Sequence, residues 1–232
     1  MSRIVILTGA GISAESGIRT FRASDGLWED HRIEEVATPE GFLRDSALVH
    51  QFYNARRAAA RAAQPNAAHL ALAELEADPH HTVLIVTQNV DDLHERAGSQ
   101  NVIHMHGTLV GALCHDCGHR WPAPEVMTQG DLCPACARAA TRPDIVWFGE
   151  MPYQMDQIVR ALEAADLFVS IGTSGNVYPA AGFVRDAAMA GVQTLELNLE
   201  PSAGTDMFDT ARHGPATQVV PAWVRAQLAQ RR

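Results

Sequence analysis

Lysine is missing altogether: the 18 basic side chains of this 232-residue chain are all arginine. That absence excludes a P-loop with its phosphate-gripping lysine, a Schiff-base lysine and a pyridoxal-phosphate anchor. The chain is also rich in alanine, so compositional bias is the simplest origin of the gap. Cysteine is scarce. Its 4 copies fall in one stretch, Cys114 to Cys136, which suits metal ligation in a reducing compartment better than a disulfide frame. Excess positive charge is lacking too: with 27 acidic residues the formal net charge is −9, and a broad basic face for nucleic acid is not expected. Long apolar runs are absent near the start, where only Ile4 to Leu7 are strongly apolar. An export signal needs a longer core, and a membrane span about 20 residues. The expectation is a cytoplasmic protein with no membrane or nucleic-acid partner and, with no heptad visible, a monomer. What is present, 47% hydrophobic and 19% charged residues, is globular composition, at a length that fits one compact domain with a small inserted module.

Short apolar runs at 3–8, 82–87, 166–171 and 193–197 read as buried parallel strands. Stretches at 70–77, 158–165 and 180–190 between them read as helices. The alternation predicts an α/β fold with a doubly wound parallel sheet. Two stretches break the rhythm. Residues 31–65 hold no strand candidate and look helical, and 111–142 hold all the cysteines with little apolar periodicity. The expected division is a sheet domain (1–30, 66–110 and 143–232), a helical module (31–65) and a cysteine module (111–142).

Gly9-Ala10-Gly11-Ile12-Ser13-Ala14 follows the first strand and matches G-x-G-x-x-G/A, where glycines let a backbone turn approach a pyrophosphate. The acidic ribose ligand of a dehydrogenase should stand about 20 residues on, after a second strand. That region instead contains Phe21, Arg22 and Trp28 with no strand in sight, which disfavours hydride transfer. Gln88-Asn89-Val90-Asp91, Gly172-Thr173-Ser174 and Asn198-Leu199-Glu200 follow the other three strands. In open α/β sheets such strand ends converge on one ligand crevice.

Cys114-x2-Cys117-x15-Cys133-x2-Cys136 supplies a closed tetrahedral thiolate set for one structural Zn²⁺, with no open position for chemistry. His106, before Gly107, is the best general-base candidate. His104, two residues away, would face the same side of a strand, and pattern alone does not choose between them. Tyr53 and Arg56, three apart, would share a helix face and could clamp a carboxylate; Arg57 and Arg61 nearby suggest instead a solvated arginine-rich face.

Taken together, Gly9-Ala10-Gly11-Ile12-Ser13, Ser16-Gly17-Ile18, Phe21-Arg22, Gln88-Asn89-Val90-Asp91, His106-Gly107, the two cysteine pairs, Val146-Trp147-Phe148-Gly149-Glu150 and Gly172-Thr173-Ser174 resemble the sirtuins, in order and spacing, from about residue 3 to residue 220. Val90, where isoleucine is usual, is a conservative departure. The chain looks most like the bacterial NAD-dependent protein-lysine deacylases. The resemblance implies a Rossmann-like domain with an inserted zinc-ribbon module and a small helical module. It further implies NAD as consumed co-substrate, its pyrophosphate on residues 9–13 and its adenosine near 172–174, 198–200 and Ala216, with Trp28 also at the cofactor. Asn89 and Asp91 would stand at the nicotinamide end, Phe21 would cover the reactive ribose carbon and Arg22 would order that loop. His106 would be the general base, and the products free lysine, nicotinamide and O-acyl-ADP-ribose. The acylated-lysine protein would bind as an extended strand between residues 146–150 (Val146, Phe148, Gly149, Glu150) and 175–177 (Gly175, Val177). The resemblance also favours the clamp: Tyr53 and Arg56 would read the acid end of succinyl- or malonyl-lysine, and Ala37 would leave room for the longer chain. Mono-ADP-ribosyl transfer to protein, or NAD binding without catalysis, are the alternatives.

Overall fold

The computed structural model describes residues 1–19 and 31–229 and the backbone of 27–28. Its centre is a six-stranded parallel sheet: β1 (Ser2–Thr8), β4 (His81–Thr87), β5 (Val102–His104), β9 (Leu167–Ile171), β10 (Gln193–Asn198) and β11 (Thr210–His213). The spatial order β5-β4-β1-β9-β10-β11 is the 3-2-1-4-5-6 order of the dinucleotide-binding folds, with the chain reversing direction of travel between β1 and β9. The four strands read from apolar runs all lie in this sheet. They are near-continuous in apolar residues because both faces are covered. Ile4 and Ile6 face one side and pack, with Val83, Ile85, Val169 and Leu195, under α4 (Ala67–Ala77) and α8 (Ala216–Ala229). Val5 and Leu7 face the other and pack, with Leu84, Val86 and Phe168, under α6 (Met155–Glu163) and α7 (Phe183–Met189).

The chain leaves the sheet twice. After β1 come two-residue strands β2 (Leu27–Trp28) and β3 (His31–Arg32), paired antiparallel, then α1 (Ile33–Val36), α2 (Pro39–Arg44) and α3 (Ser46–Ala62). The β2–β3 pair is a departure from the strand-free reading of this stretch; two residues are too short to show a period. Thr38 caps α2, its Oγ1 accepting from Gly41 N–H at 3.0 Å, with Pro39 at the first helical position, where no donor is lost. Asp45 caps α3 by accepting from Leu48 N–H at 2.9 Å. The second excursion follows α5 (Leu93–Ala97) and β5. It is an antiparallel sheet of order β7-β6-β8, made of β6 (Gly107–Cys114), β7 (Arg120–Pro122) and β8 (Thr141–Ile145). Residues of α2, α3, this sheet and the loop after β8 share a core of Phe42, Val49, Phe52, Tyr53, Leu109, Ile145 and Trp147. Among the described residues no helix is long and apolar enough to cross a membrane.

Candidate active site

A cavity of about 990 Å³ opens at the carboxyl ends of β1, β4, β9 and β10, where the reversal of strand order separates the flanking loops and leaves a crevice. Gly9, Ala10, Gly11 and Ser13 line it together with Gln88, Asn89, Val90, Asp91, His106, Gly172, Thr173, Ser174, Asn198, Leu199 and Glu200. From the excursions it takes Ala37, Tyr53, Arg56, Val146, Phe148, Gly149 and Glu150, and from the loop after β9 Val177. Three residues expected at the site stand apart from its wall. Ile12 is fully buried in the core, Gly175 turns against the backbone of residues 203 and 204, and Ala216 packs on the sheet at the start of α8. Phe21, Arg22 and the side chain of Trp28 lie outside the described residues. The sequence reading missed Arg19, Asn176, Tyr178 and residues 201–203, which also line the cavity; loop residues outside any motif carry no signal of their own.

The glycines of the first loop have a packing reason beside the expected one. Gly11 N–H donates to Gly172 O at 2.9 Å, and a Cβ on Gly11 would sit 2.7 Å from Gly172 Cα. Gly172 has φ +64 and would itself place a Cβ 2.5 Å from Ile12 N. The loops after β1 and β9 touch backbone to backbone, and no side chain fits between them. Amides of Gly9, Gly11, Ile12 and Ser13 donate to the carbonyls of Ile171, Gly172, Gly9 and Ala10. They are turned inward, so this wall offers shape rather than the row of outward amides read from the motif. Short 3-10 turns at Ala10–Ile12 and Ala14–Ser16 follow, in place of the long helix of a dehydrogenase.

At the β4 end a buried polar chain holds the carboxylate. Ser13 Oγ–H donates to Asp91 Oδ2 at 3.1 Å, and Asn89 Nδ2 donates to Ser13 Oγ at 3.1 Å. His69 Nε2 stands 3.5 Å behind Ser13 Oγ, while its Nδ1 accepts from Asn66 N–H at 3.3 Å. Burial pushes the pKa of His69 down to about 4, so the ring is neutral and its one hydrogen points to Ser13. Burial raises the Asp91 pKa, against the stabilising Leu93 N–H and Ser13 hydroxyl. The adjoining His94 accompanies His69 at 5.0 Å between ring centroids and donates or accepts at Thr8 Oγ1, 3.0 Å away.

The structure separates the two candidate bases. His106 lines the cavity. Its Nδ1 stands 3.2 Å from Gln88 O, and a carbonyl only accepts, so Nδ1 carries the hydrogen and Nε2 is the basic nitrogen. Burial lowers its pKa, opposed by the Gln88 contact, and the neutral base is present at physiological pH. His104 does not line the cavity; its two nitrogens contact Asn89 O at 3.1 Å and Glu95 Oε1 at 2.6 Å.

Tyr53 and Arg56 do not lie on a solvated face. Both are buried, 0% and 6% exposed, and both line the cavity. Arg57 is buried as well, with Nε on Leu109 O at 2.7 Å and Nη1 on Asn54 Oδ1 at 2.8 Å. Arg61 alone of the three reaches outward, to Glu125 at 3.1 Å. Trp147 Nε1–H donates to the Tyr53 oxygen at 3.1 Å. Burial raises the phenol's pKa, which keeps it a protonated donor. Glu150 is held by Arg142 through two bonds of 2.7 and 2.9 Å and accepts from Trp147 N–H at 2.8 Å. Its carboxylate therefore braces the loop at 146–150.

The four cysteine sulfurs lie within 4.8 Å of one another. Cys114–Cys136 and Cys117–Cys133 are each 3.7 Å apart. A tetrahedron with Zn–S bonds of about 2.3 Å has edges of about 3.8 Å, so the donor set fits Zn²⁺. Among the described residues no fifth joins the set: His115 pairs with Asp116 at 3.1 Å and His119 stacks on Trp121.

Sheet order, crevice and buried carboxylate define a nucleotide-binding α/β protein with an added four-cysteine metal module. A model of the Sir2 family matches residues 9–179, and the chain belongs to that family. It is 57% identical over 232 residues to an NAD-dependent protein deacylase of Caulobacter vibrioides, covering 98% of each chain. A mutant Sir2 homologue in complex with ADP-ribose superposes with a TM-score of 0.91 at 39% identity, over 99% of this chain and 94% of that one. Sir2 bound to acetylated peptide superposes with a TM-score of 0.82 at 28% identity, over 97% of this chain and 92% of that one.

Proposed function

We propose that this protein removes acyl groups from protein lysine side chains at the expense of NAD, and that acidic acyl groups are among its substrates. The observation that carries the reading is the convergence of Asn89, Asp91 and the basic Nε2 of His106 on one crevice at the strand-order reversal. The deacylase name of the Caulobacter relative and the acetylated peptide on the Sir2 neighbour support it. When bound, NAD supplies a nicotinamide leaving group and ribose hydroxyls that accept the acyl chain. The loops after β1, β9 and β10 hold the dinucleotide. Asp91, fixed by Ser13, receives the carboxamide, and Asn89 stands beside it. His106 Nε2 takes a proton from a ribose hydroxyl, and the Nδ1–H bond to Gln88 O keeps that nitrogen aimed. Residues 146–150 and 175–177 flank the peptide as neighbouring strands, adding backbone pairing with little sequence preference. Tyr53 and Arg56 grip the carboxylate of a succinyl or malonyl group, the guanidinium by charge-assisted bonds, with Ala37 small enough to admit the longer chain. In this reading the sheet holds NAD, the helical module (31–65) reads the acyl group and the zinc module (111–142) is structural.

One reaction tests the proposal. Protein and NAD are mixed with acetyl-lysine and succinyl-lysine versions of one peptide, and products are weighed by mass spectrometry against a control without NAD. Loss of both acyl groups only with NAD, with matching O-acyl-ADP-ribose, is the expected result. Transfer of ADP-ribose to protein without acyl loss would replace it with mono-ADP-ribosyl transfer. NAD binding without any product would leave a binding protein.

A further inference from the structure

His104 sits outside the cavity, yet it is tied to the loop that forms the cavity's nicotinamide end. Three consecutive carbonyls of that loop are held from the β5–β6 side: Gln88 O by His106 Nδ1 at 3.2 Å, Asn89 O by His104 Nδ1 at 3.1 Å, and Val90 O by Leu109 N–H at 2.8 Å. The second nitrogen of His104 meets Glu95 Oε1 at 2.6 Å. A carbonyl and a carboxylate can only accept, so both ring nitrogens carry hydrogens and the ring is a cation. Burial is the largest single influence and opposes that charge, but the bond to Glu95 and its charge, the Asn89 carbonyl and the Asp91 charge together outweigh it and the pKa is raised. The ionisable groups facing the ring are Glu95 and Asp91, which favour the cation, and neutral His94. Glu95 is 42% exposed, and an exposed ion pair alone is worth little. What sets this pair apart is that its other end is a carbonyl of a buried residue, Asn89, whose side chain holds Ser13 and through it Asp91.

We propose that His104 is a positioning residue: an imidazolium anchored on Glu95 that fixes the peptide of Asn89 and thereby the Asn89 and Asp91 side chains that receive nicotinamide. It rests on the NAD reading given above. Asparagine at 104 can place its amide nitrogen where Nδ1 stands and keep the bond to Asn89 O. Glutamine instead places its amide near Nε2, toward Glu95, and abandons the carbonyl.

Calorimetric titration of the whole protein with NAD and with ADP-ribose, which lacks nicotinamide, separates the possibilities. H104Q is expected to weaken NAD binding about tenfold, the size of one charge-assisted hydrogen bond, and to leave ADP-ribose within twofold. H104N, which keeps the bond to Asn89 O but has neither the charge nor the Glu95 anchor, is expected to recover part of the loss. Equal weakening of both ligands, no weakening in H104Q, or H104N no better than H104Q would each overturn the proposal. If H104Q does not fold, E95Q serves: it removes the anchor's charge without touching the ring, and several-fold weaker NAD binding with unchanged ADP-ribose is the supporting result, unchanged NAD binding the opposing one. Wild-type protein that binds no NAD would remove the functional reading, and this inference with it, a result distinct from failure of the variants.

Discussion

His69 and His94 are 0% and 1% exposed and make the fold acid-sensitive. Burial holds His69 at about 4 and His94 well below the ordinary value of 6.5. Between those values the unfolded chain binds protons that the folded chain refuses, so stability is full above pH 6.5 and is lost as pH falls. For His69 alone the loss between pH 7 and 5 is about 2 kcal/mol. His104 works with the opposite sign, its stabilisation present at low pH and lost as pH rises through its raised value. Urea midpoints at pH 7 and pH 5 check the balance; equal midpoints would contradict it. At the same scale, Arg56→Met is expected to lower kcat/KM for a succinyl-lysine peptide roughly 10- to 100-fold, as for loss of a charge-assisted clamp, and to leave the acetyl-lysine rate within a few-fold. Equal losses on both peptides would return Arg56 to a structural role. Residues whose chemistry is rare, such as the four spaced cysteines, were legible in the sequence. His69 and His94 were not, because a buried imidazole supporting a serine looks, in one dimension, like any histidine on a helix. The sequence pattern also left His104 and His106 equal, and only their partners, Glu95 for one and the cavity for the other, part them.

Elements were legible in proportion to how they are buried. The strands around Ile4, Val83, Val169 and Leu195 announce themselves because both of their faces are covered. β11 has four exposed residues and no apolar signature, and α8 hides behind Pro221 in its own interior. α3 was legible as a helix, but the fate of its arginines was not. Burial of Arg57 depends on Leu109 O and Met127 Sδ, the latter 3.1 Å from Nη2, and both acceptors are more than fifty residues away in sequence. Arg57→Met would leave Leu109 O without this donor and Asn54 without its guanidinium. A loss of about 2–4 kcal/mol is expected, read as a fall in the thermal midpoint.

At the scale of the molecule, the α/β class follows from alternation, while the strand order depends on which strands meet and had no local trace. Nor did the sequence reveal how tightly the two excursions are fastened. Asn54 of α3 exchanges two bonds of 2.9 Å with the backbone of Met127, Gln129 reaches Ser46 at 2.7 Å, and Arg61 reaches Glu125 at 3.1 Å. The segment carrying Met127 begins and ends at the cysteine knuckles, and α3 carries Tyr53 and Arg56. Chelation of the metal, expected to unravel a module too small to fold alone, should therefore loosen α3 before it disturbs the six-stranded sheet. Titrating a chelator while following both peptides, the succinyl reaction should fall first, and simultaneous loss of both would contradict this. On that outcome the succinyl-to-acetyl ratio of a preparation would serve as a gauge of its metal content, read at a cavity whose described walls hold no cysteine.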